Sequence, residues 1–158
     1  MKGTHLVVLA IFTLGIGWLM AIGWQHLIAS VFTNHGAAVI VTHPGALPAE
    51  RVGITLITGL SVLIAVLIEQ AADRFTGRCI LPVWALLLAL VVGENLGIGL
   101  RLVTLATVTL PEAISAAHNA TPVIDLATTN LTGWAVAGLV ASGVVSLGLV
   151  VVMGRLEA

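Results

Sequence analysis

Two pairs of polar residues interrupt otherwise apolar stretches of this sequence, and they are its first candidates for chemistry. Glu94 and Asn95 lie inside the apolar run 79–101. Gln25 and His26 precede the end of an earlier apolar run. An ionised carboxylate is costly in an apolar medium unless it is paired, and an unperturbed histidine titrates near neutral pH. Glu94 and His26 at one depth could therefore pass a proton, or hold the head group of a quinone, a lipid or a cationic substrate.

A structural interpretation of the same residues stays open beside the functional one. Arg101 follows Glu94 by seven residues and so lies on nearly the same helix face, and its long side chain can bend back or reach outward. In this interpretation Glu94 is clamped by a polar side chain at its own depth, and Asn95 bonds to a backbone carbonyl. The candidate partners of Glu94 are Gln25, His26 and Arg101. Intramembrane ionisable groups are functional candidates by default, but a position in the outer third of a membrane lowers the cost of the charge.

The composition places these residues in a membrane protein. The 158 residues are 59% hydrophobic and only 8% charged, whereas a soluble domain is roughly a quarter charged. The formal net charge of −1 offers no basic surface for nucleic acid. A single cysteine, Cys79, excludes an internal disulfide and a cysteine-rich metal site. The length fits one domain, 1–158.

Four apolar segments are each long enough to cross a bilayer as a helix, which needs about 20 residues. Backbone groups in hydrocarbon must be paired within the segment, so these segments are predicted to be helices. The sequence thus predicts an all-α fold, a four-helix transmembrane bundle. The predicted spans are about 6–31, 52–70, 80–100 and 131–153.

Basic residues flanking the spans predict the orientation, because positive charge concentrates on the cytoplasmic side. With a cytoplasmic N-terminus, four basic residues lie inside and two outside. Those inside are Lys2, Arg74, Arg78 and Arg155, and those outside are Arg51 and Arg101. Both termini are therefore predicted to be cytoplasmic, and the composition resembles that of bacterial inner-membrane proteins.

The two outer connections, 34–51 and 102–130, are long for so small a protein. Thr109 and Glu112 have the spacing of a capping box, with Pro111 at the first helical position. This pattern predicts a short helix from Thr109 to about His118, and Thr121-Pro122 is expected to begin a second turn through about Ala127. The first connection contains a β-branched run, 39–42, that favours an extended segment. We expect these pieces to form a short cap on the outer face.

Small residues spaced by four predict where the helices pack, because close approach drives helix association in lipid. The fourth span carries two such stripes on adjoining faces, which suits a helix wedged between neighbours or one that touches another subunit. Trp18 is too deep for an interfacial position and is predicted to pack between helices. The principal packing candidates are Gly17, Ala21, Gly59, Gly93, Gly97, Gly138 and Ser142.

Three histidines, His35, His43 and His118, would share the outer side and are the candidates for metal ligands, since imidazole suits copper and zinc. Their spacing matches no compact metal motif. A haem would need two axial ligands facing one cavity, for which His26 and His118 are a conceivable pair. No cofactor is clearly implied, and no catalytic set is assembled in the sequence.

Three function classes remain open on these observations. The leading hypothesis is a non-catalytic integral subunit of a larger membrane complex, in contact with lipid and with other membrane subunits or copies of itself. Energy-converting and respiratory complexes carry small accessory subunits of this shape. The first alternative is a small oligomeric transporter or channel with Glu94 as its coupling group. The second is a membrane enzyme or redox protein acting on a lipid or quinone.

Overall fold

Four long helices dominate the computed structural model, which describes residues 3–77 and 81–156. Short strands, a π-helical turn (Leu105–Thr109) and a 3₁₀ turn (Leu126–Thr128) complete the described chain. The helices and strands are α1 (Gly3–Asn34), β1 (Ala38–Ile40), α2 (Ala46–Thr76), α3 (Val83–Thr104), α4 (Leu110–Ala117), β2 (Val123–Asp125) and α5 (Leu131–Leu156).

The predicted all-α membrane bundle is confirmed. Each of the predicted spans corresponds to a helix that is long and apolar enough to cross a membrane, although the third helix begins at Val83. The helices extend beyond the apolar runs; α2, for example, begins at Ala46 rather than 52 and ends at Thr76 rather than 70. Helical hydrogen bonding does not stop where hydrocarbon ends, and Pro48 is tolerated because it lies in the first turn. The first residue of the predicted third span, at position 80, lies outside the described residues.

The helix order alternates, so the α1–α2 and α3–α5 connections share one end of the bundle. We call this the cap end, and the opposite end, where α1 begins and α5 ends, the terminus end. Helix α2 packs against α1, α3 and α5, and α5 also packs closely against α3. Helix α1 packs mainly against α2 and is therefore the most peripheral of the spans.

Glycines set the closest approach, between α3 and α5. A Cβ built on Gly93 would lie 2.8 Å from the carbonyl oxygen of Gly138, and one built on Gly97 would lie 3.1 Å from the Gly138 Cα. The first distance is too short for a real side chain, and the second is tighter than ordinary van der Waals contact. The two backbones are thus in direct contact, as small residues at a membrane interface allow.

The buried core consists of two apolar clusters separated along the bundle axis. The cap-end cluster includes Phe32, Ile54 and Ile98. The terminus-end cluster includes Val62 and Leu90. Glu94 of α3, and Thr58 and Ser61 of α2, lie on the helix segments between these clusters.

The cap differs from the prediction in two elements: the helix predicted from Thr109, and the second turn predicted over 121–127, where the chain forms β2 before the 3₁₀ turn. The β-branched run forms β1, which pairs in parallel with β2. A helix does not begin at Thr109, however: α3 continues through the π-helical turn into α4, and the Thr109 side chain makes no capping hydrogen bond. Because the preceding turn already supplies acceptors for the local N–H groups, nothing remains for Thr109 to cap. The helix ends at Ala117, where His118 adopts a left-handed conformation (φ 44°).

Candidate functional site

Glu94 is the centre of the candidate site, and it is completely buried, with 0% of its surface exposed. The Thr58 hydroxyl donates to Glu94 Oε2 at 2.9 Å, and the Ser61 hydroxyl donates to Glu94 Oε1. Thr58 and Ser61 are three residues apart on α2, so they project from one helix face. Each carboxyl oxygen therefore has its own hydroxyl donor, and the acid joins α3 to α2.

The depth of this arrangement corrects the prediction. Ser61 is the central residue of α2 (Ala46–Thr76), so Glu94 lies near mid-length of the bundle rather than in its outer third. The hydroxyls that bind it come from α2, not from the predicted Gln25, His26 or Arg101. Within residues 3–77 and 81–156, no cationic side chain pairs with Glu94.

Each hydroxyl at the site has a second acceptor within its own helix. Thr58 Oγ1 lies 2.8 Å from the Ile54 carbonyl oxygen, and Ser61 Oγ lies 3.3 Å from that of Ile57. A hydroxyl donates one proton and can accept as well. Toward a carboxylate, both hydroxyls donate. When Glu94 is a neutral carboxylic acid, one hydroxyl accepts a hydrogen bond from the acid O–H. That hydroxyl then donates to the backbone carbonyl of its own helix, so every group in the network has a partner in either protonation state.

Gln25 belongs to a different network, at the cap end. Its Oε1 accepts from Arg51 Nε at 2.5 Å, and its Nε2 donates to the Leu47 carbonyl oxygen at 3.0 Å. The same Nε2 lies 3.5 Å from Glu50 Oε2. These contacts lie about two helical turns from Thr58 toward the cap end. The prediction that Gln25 shares a layer with Glu94 was therefore wrong.

Glu50 connects this network to α5 and was not singled out from the sequence. Its Oε1 accepts the backbone N–H of Leu131, the first residue of α5, at 2.6 Å. The Thr129 hydroxyl lies 3.4 Å from Oε2. A carboxylate at a helix N-terminus is favoured by the unpaired N–H groups and the helix dipole. Glu50 was missed because the sequence placed it in the connection 34–51, whereas in the structure it lies in the first turns of α2.

Asn95 and His26 point away from the Glu94 carboxyl. Asn95 Oδ1 accepts from Trp24 Nε1 at 2.9 Å, and Asn95 Nδ2 donates to the Val91 carbonyl oxygen at 2.8 Å. The carbonyl contact matches the predicted bond, while the link to Trp24 joins α3 to α1. His26 is exposed and makes no hydrogen bond within the described chain.

Arg101 is likewise separate from Glu94. Its Nε donates to the Thr129 carbonyl oxygen at 2.6 Å, and its Nη2 to that of Thr128 at 3.5 Å. The guanidinium carbon lies 5.9 Å from the centroid of the Trp134 ring, a cation–π distance. Arg101 thus holds the end of α3 to the segment that leads into α5.

The predicted packing residues lie at contacts between the helices. A Cβ on Gly17 would lie 2.8 Å from the Thr58 Cβ, and one on Gly59 would lie 2.5 Å from Leu14 Cδ2. Ala21 is fully buried. On the outside of the α3–α5 contact runs a groove of about 350 Å³, lined by Gly93, Gly97, Gly138 and Ser142 among others.

Trp18 departs from its prediction. It was expected to pack between helices, yet 41% of its surface is exposed. It lies beside the midpoint of α1 (Gly3–Asn34). Its indole N–H makes no hydrogen bond within residues 3–77 and 81–156.

The three cap-end histidines lie on separate exposed segments. His35 follows α1, His43 follows β1 and His118 follows α4. Within the described chain, no group of three or more His, Cys, Asp or Glu residues is placed to hold a metal ion.

Asp125 organises the cap around the strand pair. Its carboxylate accepts from the Thr42 hydroxyl and from the Ala127 backbone N–H at 2.9 Å. The bond from the Thr42 hydroxyl, followed by that from the Ala127 N–H, lowers the pKa of the Asp125 carboxyl below its usual range, and the nearby His43 adds to the effect. A low pKa keeps Asp125 ionised and the strand ends tied together.

Comparison of the chain with protein-family models, curated proteins and solved structures gave no match.

Proposed function

We propose that this protein is a non-catalytic integral subunit of a larger assembly of membrane proteins. The observation that carries the proposal is Trp18, half-exposed at the centre of a membrane-spanning helix with its N–H unpaired within the described chain. Tryptophan favours the interfacial region, where one end of the ring is wet. An unpaired polar group in hydrocarbon costs roughly several kcal/mol. A hydrogen-bond acceptor on a neighbouring protein at the same depth removes this cost.

The surroundings of Trp18 suit such a neighbour. Val8, Ile11, Gly15 and Trp18 recur at three- and four-residue spacing, so they form one stripe along α1. Val8 and Ile11 are exposed, and a Cβ built on Gly15 would meet nothing within 4 Å. Such a gap allows a partner helix to approach the α1 backbone closely. We call this stripe the α1 face.

The geometry of Glu94 favours a structural over a transport role. A coupling group in a transporter must meet water or substrate at some stage of its cycle. Glu94 is fully enclosed, and both of its oxygens are engaged by hydroxyls of α2. The arrangement supports a clamp that fixes α3 against α2 while the outer faces of the bundle contact partners.

The proposal includes a location in the bacterial inner membrane with both termini in the cytoplasm, and a host such as an energy-converting or respiratory complex. The distribution of arginines supports the topology, because Arg74 and Arg155 lie in the last turns of α2 and α5, at the terminus end. Arg51 and Arg101 lie toward the cap end. Lys2 and Arg78, which complete the predicted cytoplasmic set, fall outside the described residues.

Photo-crosslinking in the native host tests the proposal. A benzoylphenylalanine at position 18 should give one discrete protein adduct. The same probe at position 144 is the matched control, because Val144 is exposed near the centre of α5, a helix that packs against α2 and α3. No protein adduct from position 18, together with purification of the chain alone in mild detergent, would contradict the proposal.

A second variant isolates the indole N–H. Trp18→Phe keeps an aromatic ring but removes the donor, so the yield of the co-purified partner should fall several-fold. Trp84→Phe is the control, since Trp84 is exposed at the terminus end and should leave the yield unchanged. Equal yields from the two variants would show that Trp18 does not contact the partner through its N–H.

A further inference from the structure

The groove between α3 and α5 has the length of one membrane leaflet. It runs along α5 from Trp134 to Val145, which at 1.5 Å per residue is about 16 Å. Half of the hydrocarbon core of a bilayer is about 15 Å thick. Val145 is near the middle of α5 (Leu131–Leu156), so the groove begins at the cap end and stops near mid-membrane.

The floor and rim of the groove are suited to a flexible hydrocarbon chain. Gly93, Gly97 and Gly138 form a floor of bare backbone, and the exposed Leu96 and Leu100 form one rim. A transmembrane helix laid in this direction would continue past mid-membrane, whereas the groove does not. The dimensions therefore favour a lipid acyl chain over a helix.

A cation stands at the cap-end mouth of the groove. Arg101 is one helical turn beyond Gly97, and its guanidinium lies over Trp134, which lines the groove. Arg101 binds only backbone carbonyls, of Thr128 and Thr129, and forms no ion pair within residues 3–77 and 81–156. These two bonds leave three of its five N–H donors for another ligand.

We infer that this groove binds one acyl chain of an anionic phospholipid, whose head-group phosphate accepts hydrogen bonds from Arg101. The guanidinium fork is suited to phosphate oxygens. The carboxylate of Glu50, which contacts Thr129, is already engaged by the Leu131 N–H and the Thr129 hydroxyl. The site is on α3 and α5 and does not depend on the α1 face.

Native mass spectrometry of the full chain, released from micelles containing equal amounts of phosphatidylglycerol and phosphatidylcholine with identical chains, tests this site. The wild type should bind phosphatidylglycerol about fivefold better, the preference expected of one arginine at a membrane surface. Arg101→Gln should abolish the preference, and Arg101→Lys should retain most of it. Arg74→Gln, at the terminus end, is the charge-matched control and should change nothing.

A second substitution tests the groove itself. Ala141→Leu places a large side chain in the groove from an exposed position, so it should reduce retention of both lipids at this site several-fold. A phosphatidylglycerol preference that survives Arg101→Gln would overturn the inference. Unchanged lipid binding in Ala141→Leu would also overturn it. Loss of a co-purified protein from that variant, with lipid binding unchanged, would show that the groove binds a protein rather than a lipid.

Discussion

Two polar networks hold this bundle together, and they differ in depth and in chemistry. The central one joins Glu94 of α3 to Thr58 and Ser61 of α2, with no cation among the described residues. The cap-end one joins Gln25 of α1 to Arg51 of α2. Its one carboxylate among the described residues, Glu50 of α2, accepts the N–H of Leu131 at the start of α5. One network is built from a lone acid and two hydroxyls, and the other from an acid, a base and an amide.

The difference follows from what each depth permits. Near mid-membrane a second charge would bring its own desolvation cost. Neutral hydroxyls, each with a backbone carbonyl of its own helix as a second acceptor, are therefore a less costly partner for an acid. At the cap end the charges lie near the interface, where water and head groups lower that cost. The central network therefore can hold a neutral acid, whereas the cap-end network depends on charge.

The largest effect is expected from truncating the central acid. Glu94→Ala removes both interhelical hydrogen bonds and leaves a cavity between the two core clusters, so the free energy of unfolding should fall by about 2–4 kcal/mol. Glu94→Gln should cost less than about 1 kcal/mol, because the amide can accept from one hydroxyl and donate to the other. Reversible unfolding in mixed micelles of detergent and SDS measures both.

Comparing Glu94→Ala with Glu94→Gln separates the effect of losing the side chain from the effect of losing its negative charge. A loss in Glu94→Gln as large as that in Glu94→Ala would mean that the carboxylate charge itself is required. The central network would then resemble the cap-end one, and the distinction drawn above would fail.

A smaller effect is expected at the cap end. Gln25→Leu fills the space but leaves Arg51 Nε without its acceptor, so the free energy of unfolding should fall by about 1–2 kcal/mol. The loss should shrink in high salt, where the charges of Arg51 and Glu50 are screened. The Glu94→Ala loss should not depend on salt. Equal salt dependence of the two variants would remove the proposed difference between the networks.

The smallest effect concerns the strand pair of the cap. Because hydrogen bonds from Thr42 and Ala127 lower the pKa of Asp125, the stabilisation that it gives is present above the unfolded-state value of about 3.9. It is lost as the pH falls through the lower folded-state pKa. A carboxyl NMR titration should therefore find the Asp125 pKa below that of a model peptide, and Thr42→Val should raise it.

Thr33→Val is the control for this titration, since the Thr33 hydroxyl donates to the Ala29 carbonyl of its own helix. An Asp125 pKa that does not move in Thr42→Val would show that the hydroxyl does not hold the strands together.

Hydropathy and length were sufficient to predict the number and type of the spans, because a bilayer imposes both. The depth of Glu94 was harder to predict. The third apolar run was measured from position 80, but α3 continues well past Arg101 into α4, so Glu94 lies further from the helix end than the run suggests.

The partners of the polar residues could be predicted only in part. Glu94 and Asn95 are adjacent, and adjacent helical positions point about 100° apart, so they should not share a partner; they bond to α2 and α1, respectively. Which hydroxyls meet Glu94 depends on the rotation of α2, and the sequence does not encode that rotation locally. Glu50 was missed because helix α2 begins outside the apolar run.

A double-mutant cycle between Glu94→Ala and Ser61→Ala tests the central claim most directly, namely that the buried acid fastens α3 to α2. The account predicts a coupling free energy of about 1 kcal/mol, toward the upper part of the range for intramembrane hydrogen bonds. A parallel cycle with Thr13→Val should be additive, because Thr13 is buried but bonds to the Leu9 carbonyl of its own helix. Additivity of Glu94 with Ser61, within error, would contradict the account.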